Sequence, residues 1–587
     1  MSEILNKITE TVSKAFEEAG YESSYGRVTV SNRPDLCEFQ CNGAMAGAKA
    51  YKKAPIMIAN EVAEKLSGSD MFEKAEAVAP GFLNLNLSKE YLKNYIDEMS
   101  KSDTLLCDCK KKDGIIFLDY GGANVAKPLH IGHLRSAIIG ESIKNICNFA
   151  GYKTIADVHL GDWGLQMGLI IVELKERKPD LPYFDENFEG DYPSEAPFTI
   201  SELEQIYPCA SGKSKTDEAF KKAAQEATAQ LQAGRRGYRA LWQHIINVSV
   251  TDLKKNYGNL GVSFDLWKGE SDAQPYINDM VEAMIKSGIA YESEGAIVVD
   301  VTEEGDSKEL PPCIVRKSDG AANYETSDLA TLVEREKLYA PLEYVYLADK
   351  RQELHYTQFF RVSKKAGIVR NETNLKFIGF GTMNGSDGKP FKTRDGGVMR
   401  LEYLLEEIYN VMLEKIKNNG TMDEEEAKNA ASAVAMSALK YGDLSNQASK
   451  DYIFDIERFT SSEGNTGPYL LYTIVRIKSI LRRYEEEFGR KQCSVVAPES
   501  DTQKALMLNL AGFPEMTRHA FEELAPHKIC SYLFELANCF NRFYHDTNIM
   551  KEEDETKQQG YVALLELTKA VMEKGIELLG FEAPDRM

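Results

Sequence analysis

The sequence predicts a multidomain α/β protein whose last part is entirely helical. A chain of 587 residues is too long for one hydrophobic core. Residues 115–150 pass from an apolar strand through a glycine turn into an amphipathic helix, which is an α/β unit. Beyond about residue 440, apolar residues recur at helical spacing. We therefore expect three domains, give or take one, over residues 1–108, 109–440 and 441–587.

The composition is ordinary for a globular protein, with 43% hydrophobic and 27% charged residues. No apolar run approaches the roughly 18 residues of a membrane-spanning helix, and the start, MSEILNKITE, lacks a signal-peptide pattern. The 10 cysteines include no C-x-x-C pair, which favours reduced thiols. We expect a cytoplasmic protein with no structural metal and no membrane contact. The formal charge of −21 argues against nucleic-acid binding over the whole surface, but it does not exclude a local basic patch.

Residues 1–108 alternate between helical and strand patterns. Helices are predicted over ILNKITETVSKAFEEAG and IMIANEVAEKL, and strands over GRVTVS and GFLNLNL. The sequence therefore predicts a small N-terminal α/β domain.

The turn of the α/β unit at 115–150 carries the residues of a phosphate site. The free N–H groups at the start of a helix attract phosphate, and two imidazoles and an ammonium there suit a triphosphate. These residues are Asn124, Lys127, His130, Gly132 and His133. A pair of surface or capping histidines is the alternative, but the chain has only 8 histidines in all, which favours a function for these two.

The same residues carry a resemblance to a known family. The segment NVAKPLHIGHLRSAIIG resembles the HIGH signature of class I aminoacyl-tRNA synthetases, specifically of arginyl-tRNA synthetases. The resemblance implies a Rossmann-like catalytic domain with connective insertions over 109–440. It also implies that His130, Gly132 and His133 bind ATP. The chain departs from the family at Gly121-Gly122-Ala123, where a serine and a proline are more usual.

The N-terminal segment FQCNGAMAGAKAYKKAP resembles the additional domain with which this family grips the D-loop of tRNA. The resemblance implies that Phe39 stacks on a base while Gln40 and Asn42 hydrogen-bond to its edge. A polar helix start beside a core phenylalanine is the alternative.

A second strand, loop and helix follow over YKTIADVHLGDWGLQMGLII. The carboxyl edge of such a strand is where open α/β sheets bind ligands, and it carries His159, Asp162, Trp163 and Gln166. Next come a polar stretch at about 178–216 and two helical segments, which indicate an insertion in the nucleotide fold. We expect Trp242 and Trp267 there to pack in the core.

A pair of residues four apart, Tyr324 and Asp328, lies on one face of a predicted helix. A planar guanidinium is held best by a carboxylate together with neutral acceptors. The family resemblance implies further contacts to arginine, and the segment that contains Gln352 also contains His355. The implied arginine-binding residues are Asn124, Tyr324, Asp328 and Gln352, with Asp119 as a further candidate. A helix N-terminal acid and a half-buried aromatic are the alternatives for the pair.

A glycine-rich cationic loop follows in FIGFGTMNGSDGKPFKTRDGGVMRLEYLL. Such a loop can close over phosphates and stabilise charge in a transition state, and it carries Lys389, Lys392 and Arg394. It stands where class I synthetases have the KMSKS signature but reads PFKTR, and the resemblance implies that Lys127 compensates. A solvated basic loop is the alternative.

The C-terminal region contains a helix that begins near Pro468. Its apolar stripe is Leu470, Ile474, Ile477 and Leu481, and its other side carries Tyr469, Tyr472, Arg476 and Arg483. Aromatic side chains interleaved with arginines suit unpaired RNA bases. The region resembles the helical anticodon-binding domain of the family, which implies tRNA contacts for Tyr472, Arg476 and Arg483. A solvated face of a helical bundle is the alternative.

The resemblance implies an arginine–tRNA ligase that uses ATP accompanied by Mg²⁺. Lys127, His130 and His133 would neutralise phosphate charge, while Lys392 and Arg394 close over the pyrophosphate. Lys389 and Lys392 would also bind ATP. The implied partners are arginine tRNA, L-arginine and ATP. We expect a monomer, because the chain shows no long apolar heptads. Two alternatives are an enzyme that adenylates a small molecule without tRNA and a catalytically silent RNA-binding paralogue.

Overall fold

Three regions follow one another along the computed structural model: an antiparallel sheet with helices, a parallel sheet between two layers of helices, and a group of helices. The structure describes residues 3–127, 129, 131–318, 320–385, 387–389, 400–418, 422–489, 491 and 493–587. Within these ranges, no helix is both long and apolar enough to cross a membrane.

The N-terminal region is built around a four-stranded antiparallel sheet. Its elements are α1 (Ile4–Glu18), β1 (Val28–Val30), β2 (Phe39–Cys41), α2 (Gly43–Tyr51), α3 (Pro55–Leu66), β3 (Phe72–Val78), β4 (Phe82–Leu87) and α4 (Lys89–Ser100). The strand order is β1-β2-β4-β3. In β4, Leu83, Leu85 and Leu87 are buried and alternate with half-buried asparagines. The helices and strands predicted for this region are confirmed, while β2, β3, α2 and α4 were not predicted.

The central region contains a four-stranded parallel sheet of order β11-β10-β5-β6 and a small antiparallel sheet, β7-β8-β9. Its elements are β5 (Ile115–Asp119), α5 (Ile131–Phe149), β6 (Lys153–Asp157), α6 (Leu165–Arg177), α7 (Ile200–Lys213), α8 (Glu218–Gln232), α9 (Arg236–Asn259), α10 (Gln274–Lys286), β7 (Tyr291–Ser293), β8 (Ala296–Val299), β9 (Cys313–Arg316), α11 (Tyr324–Leu338), β10 (Glu343–Asp349), α12 (Glu353–Lys365) and β11 (Asn374–Phe380).

Both faces of the parallel sheet are covered. Successive residues of β5 point to opposite faces: Ile116 and Leu118 lie in one core with residues of α5, and Phe117 lies in a second core with residues of α11 and α12. With its faces closed, the sheet offers a ligand the carboxyl edge of its strands.

The insertion between α6 and α10 contains α7, α8 and α9. Helices α8 and α9 were predicted, but α7 lies in the stretch that we expected to be a polar connection. Its apolar residues Leu203, Ile206 and Ala210 make a short buried stripe, and Pro208 interrupts the helical pattern. Trp242 is partly buried, as predicted for a packing residue, and its Nε1 donates to the carbonyl of Asp162 at 2.9 Å.

The C-terminal region is mostly helical. Its elements are β12 (Met383–Asn384), α13 (Leu401–Asn418), α14 (Glu424–Leu444), β13 (Tyr452–Ile453), α15 (Ile456–Phe459), α16 (Gly467–Phe488), α17 (Asp501–Ala511), α18 (Phe513–Glu522), α19 (Pro526–Asp546) and α20 (Glu555–Leu578). The expectation of a purely helical region is wrong at β13, which pairs in parallel with β12. A strand of two residues has no periodicity to reveal it. Helix α14 also runs through the boundary expected at 440.

Candidate active site

A buried guanidinium joins two strand ends at the carboxyl edge of the parallel sheet. Asp119 ends β5 and lies beside Asp157, which ends β6. Nη2 of Arg335 in α11 donates to Oδ2 of Asp119 at 2.7 Å and to Oδ2 of Asp157 at 2.8 Å. Burial raises the pKa of Asp157, but Arg335 and His159 outweigh it and hold the pKa below its usual value. The carboxyl edge of the sheet therefore carries a buried guanidinium held between two carboxylates.

A second cluster brings the predicted pair Tyr324 and Asp328 together with His355. Oδ2 of Asp328 lies 2.8 Å from Nε2 of His355, and the rings of Tyr324 and His355 are 5.0 Å apart. Glu325 lies 3.8 Å from the other ring nitrogen. Burial alone would lower the pKa of His355, but the carboxylates of Asp328 and Glu325 raise it to about 9. His355 is therefore an imidazolium at neutral pH.

His159 connects the two clusters. Its Nε2 lies 3.8 Å from Oδ1 of Asp328, and neither ring nitrogen has a hydrogen-bond partner among the described residues. Its backbone has a φ of 42°, a left-handed conformation that is uncommon for a residue other than glycine. Such backbone strain is found at functional sites.

Two more carboxylates, Asp162 and Glu270, join Asp328 and Glu325 in an acidic wall. The sequence analysis placed Asp162 at this edge but missed Glu270. Asp162 accepts from the backbone N–H and the hydroxyl of Ser271 at 3.0 and 2.6 Å. Burial raises the pKa of Glu270 to about 7 against the effect of His159, and Asp162 and Asp328 add to the rise. The segment FDLWKGES contains Glu270, but only the fold brings it here. The wall suits a cationic substrate.

Asn124 lies directly against the loop after β6. Residues 124 and 161 form an isolated parallel bridge, and the backbone N–H of Val125 donates to the carbonyl of Gly161 at 3.2 Å. A Cβ at Gly161 would lie 2.3 Å from Oδ1 of Asn124, so only glycine permits this approach. The structure thus brings Asn124 to the sheet edge beside the acidic wall.

The first signature lies at the start of α5. Gly132 and His133 are in the first turn of the helix, whose N–H groups can bind phosphate. Nζ of Lys127 lies 4.8 Å from the centre of the Tyr207 ring in α7. His130 lies outside the described residues.

The flanks of the cationic loop lie near the first signature. The backbone N–H of Leu401 donates to the carbonyl of Leu129 at 3.1 Å, and Arg400 pairs with Glu204 of α7 at 2.9 Å. Lys389 is exposed, while Lys392 and Arg394 lie outside the described residues. Gln352 is exposed before α12 and makes no hydrogen bond to Asp328 or His355 in the described part of the chain.

Three family models match the chain in order. Residues 95–456 match the model for tRNA synthetases class I (R), catalytic domain. The chain belongs to the arginyl-tRNA synthetase family. Residues 2–87 match the arginyl tRNA synthetase N terminal domain, and residues 470–587 match the DALR anticodon binding domain.

Relatives and solved structures agree with this assignment. The chain is 61% identical over 597 residues to arginine–tRNA ligase of Agathobacter rectalis and 54% identical over 587 residues to that of Alkaliphilus oremlandii, with both chains fully covered in each pair. The fold is shared with arginyl-tRNA synthetase from Plasmodium falciparum, at a TM-score of 0.82 and 24% identity, covering 100% of this chain and 99% of that one. The Thermus thermophilus enzyme gives a TM-score of 0.78 at 21% identity, with both chains covered in full. The predictions of family and fold class are confirmed.

The N-terminal residues expected to contact tRNA differ in exposure. Phe39 is only 6% exposed and belongs to the core, which favours the alternative of a core phenylalanine over a base contact. Because side chains alternate along β2, Phe39 faces the core and Gln40 faces outward. Nε2 of Gln40 donates to Oδ1 of Asn84 at 2.9 Å, and Asn42 is exposed before α2.

The C-terminal residues expected to contact tRNA lie on the outer side of α16. The apolar stripe of the helix is buried as predicted, apart from Leu481, which is half buried. Tyr472 is half buried, and Arg476 and Arg483 are exposed. Nη1 of Arg476 donates to Oδ1 of Asn541 in α19 at 2.7 Å. This face therefore presents two exposed arginines, and Asn541 orients the guanidinium of Arg476.

Proposed function

We propose that the chain activates L-arginine with ATP and transfers it to the terminal adenosine of arginine tRNA. One observation carries the proposal: Asp328 is hydrogen-bonded to His355 and lies in the acidic wall. This wall lies at the same edge of the sheet as the start of α5, which contains the first signature. Membership in the arginyl-tRNA synthetase family supports the same reaction.

Asp328 receives the guanidinium of arginine. His355 occupies Oδ2 of Asp328, which leaves Oδ1 to accept from a planar cation. Tyr324 is 59% exposed and its ring borders the entrance to the same cluster. Lysine lacks the planar fork, so these contacts select against it.

The remaining arginine contacts are assigned by position. Asp119 and Asn124 lie at the sheet edge and bind the backbone groups or the guanidinium of the substrate. Gln352 precedes α12 and joins them when the substrate is present. Their roles rest on the family resemblance and on this placement.

Adenylation needs charge stabilisation more than covalent protein chemistry. A carboxylate oxygen of arginine attacks the α-phosphorus of ATP, the bond to the bridging oxygen breaks, and pyrophosphate leaves. His130, Gly132 and His133 bind the phosphates, while Lys127 and the loop residues Lys389, Lys392 and Arg394 neutralise the growing charge. Mg²⁺ would accompany ATP as part of the substrate and would help to neutralise its phosphate charge.

The second step moves the arginyl group to tRNA. The 2′-hydroxyl of the terminal adenosine attacks the carbonyl carbon of the adenylate, and AMP leaves. Gln40 and Asn42 contact the D-loop, and Tyr472, Arg476 and Arg483 contact the anticodon arm. We assign the D-loop contacts to a domain over 1–108 and the anticodon contacts to a domain over 441–587. These domains flank a catalytic domain over 109–440. We propose that the enzyme is monomeric and cytoplasmic.

Exchange of pyrophosphate into ATP tests the proposal. We expect exchange that depends on arginine and on arginine tRNA, followed by arginyl-tRNA formation. Exchange without tRNA would indicate an enzyme that adenylates a small molecule on its own. No exchange under either condition would indicate a silent paralogue and would refute the proposal.

A further inference from the structure

A fully buried ion pair lies two residues beyond His133. Nε of Arg135 in α5 donates to Oδ1 and Oδ2 of Asp443 in α14 at 3.3 and 3.2 Å. The side chains of Arg135 and Asp443 are 2% and 0% exposed. Arginine is seldom buried so completely, because the loss of hydration is large. A buried ion pair of this kind therefore indicates a specific structural or functional role.

The same guanidinium binds two backbone segments. Nη1 of Arg135 donates to the carbonyls of Gly381 at 2.7 Å and Lys450 at 3.0 Å. Gly381 follows β11, and Lys450 precedes β13. The hydroxyl of Tyr452 in β13 donates to Oδ2 of Asp443 at 3.1 Å, and its ring centre lies 5.0 Å from the guanidinium carbon. One side chain thus joins α5 to the two segments.

The segment at Gly381 leads into the cationic loop, and the segment at Lys450 pairs with it. Met383 of β12 pairs with Tyr452 of β13, and β12 ends at Asn384, five residues before Lys389. A Cβ at Gly381 would lie 2.5 Å from Oδ1 of Asp451 and 2.6 Å from the backbone of Lys450, so the segments touch directly. The base of the loop and the first turn of α5 are therefore held by one guanidinium.

We infer that Arg135 is a positioning residue, which sets the base of the cationic loop relative to the helix start that carries Gly132 and His133. Both cationic elements must reach one phosphate chain for adenylation, and a displacement of either lowers the rate. Arginine suits this task because its rigid fork binds a carboxylate and two carbonyls at once. The side chain of Arg135 is 2% exposed, so it acts on the substrate only through the segments that it holds. The inference rests on the proposed function.

The test is a variant that removes both charges, Arg135→Met with Asp443→Asn. Replacing both members of a buried ion pair costs far less stability than removing one of them. We expect the melting temperature to fall by no more than about 5 °C. The kcat of pyrophosphate exchange with tRNA should fall by about tenfold or more, while the KM for arginine changes by less than about twofold. Simple loosening of the fold would not produce this separation of kcat from KM.

The matched control is another paired arginine, Arg361→Gln with Asp306→Asn. Nη1 and Nη2 of Arg361 lie 2.6 and 2.8 Å from the carboxylate oxygens of Asp306. Among the residues that the structure describes, no hydrogen bond or ion pair joins Arg361 or Asp306 to the segments around β12 and β13. We expect its kcat to stay at the wild-type value. An equal fall of kcat in both double variants would overturn the inference.

Two single variants cover the case in which the double variant does not fold. Arg135→Lys keeps the charge but lacks the fork, and Tyr452→Phe removes one hydroxyl from Asp443. We expect a fall of kcat in both, larger for Arg135→Lys, with an unchanged KM for arginine. Wild-type kcat in every folded variant would overturn the inference. An unmodified enzyme that shows no arginine-dependent exchange would instead refute the proposed function.

Discussion

Asp328→Asn removes one negative charge from the proposed arginine site while the side chain keeps its size. Oδ2 of Asp328 lies 2.8 Å from Nε2 of His355, and Oδ1 lies 3.8 Å from Nε2 of His159. With Oδ2 taken, the guanidinium would bind mainly to Oδ1. A neutral amide cannot offer the charge-assisted hydrogen bond, so we expect the KM for arginine to rise strongly.

The size of the effect follows from this contact. A hydrogen bond to a charged group contributes about 1.5–3 kcal/mol. Since about 1.4 kcal/mol is a factor of ten in binding, the KM for arginine should rise about 10- to 150-fold. The KM for ATP should change by less than about threefold, because we assign the phosphate groups to the start of α5. Asp328→Ala should have a larger effect, because it also leaves His355 without its closest acceptor.

Steady-state pyrophosphate exchange with saturating tRNA measures both constants. Asp349→Asn is the matched control, because Asp349 ends β10 of the parallel sheet and its carboxylate pairs with Arg351 at 2.6 Å. We expect the control to leave the KM for arginine unchanged. Equal increases in the KM for arginine and for ATP in Asp328→Asn would refute the assigned role.

Three further predictions concern the phosphate site, His355 and the anticodon face. His133→Ala should lower the kcat of exchange by about 100-fold with little change in the KM for arginine, since it removes a donor to the developing charge; a wild-type kcat would contradict the assignment. The raised pKa of His355, about 9, means that its stabilising effect is complete below the unfolded pKa near 6.5 and is lost as the pH rises through 9. The melting temperature should therefore fall between about pH 6.5 and 9 more in the wild type than in His355→Gln, and parallel curves would exclude this linkage. Arg476→Ala should raise the KM for tRNA about three- to tenfold and weaken its salt dependence, with kcat at saturating tRNA retained; an unchanged KM for tRNA would remove Arg476 from the interface.

The local sequence pattern was sufficient to predict much of the secondary structure. Alternating leucines predicted β4, and the stripe of Leu470, Ile474 and Ile477 predicted α16, because burial of one face imposes a period on the sequence. Among the elements that were missed, β13 and α7 are short or irregular, whereas α4 is a regular helix with buried Leu92, Tyr95 and Ile96. β13 has two residues, and α7 contains Pro208, so neither leaves a clear period.

The candidate site was predictable only where one segment carries several of its residues. Lys127, His130 and His133 are close in the chain, so their spacing points to phosphate. Tyr324 and Asp328 share a helix face for the same reason. Phe39 remained open between a base contact and a core residue, and its burial in β2 favours the core.

The sequence by itself determined the family, the order of the three regions and the segments that carry the chemistry. Only the tertiary structure brought Arg335 to Asp119 across 216 positions of the chain and Arg135 to Asp443 across 308. The residues next to a charged residue in the sequence follow the same pattern whether its side chain is exposed to solvent or buried in an ion pair. Its role depends on which distant charge the fold places beside it, and no local period encodes that contact.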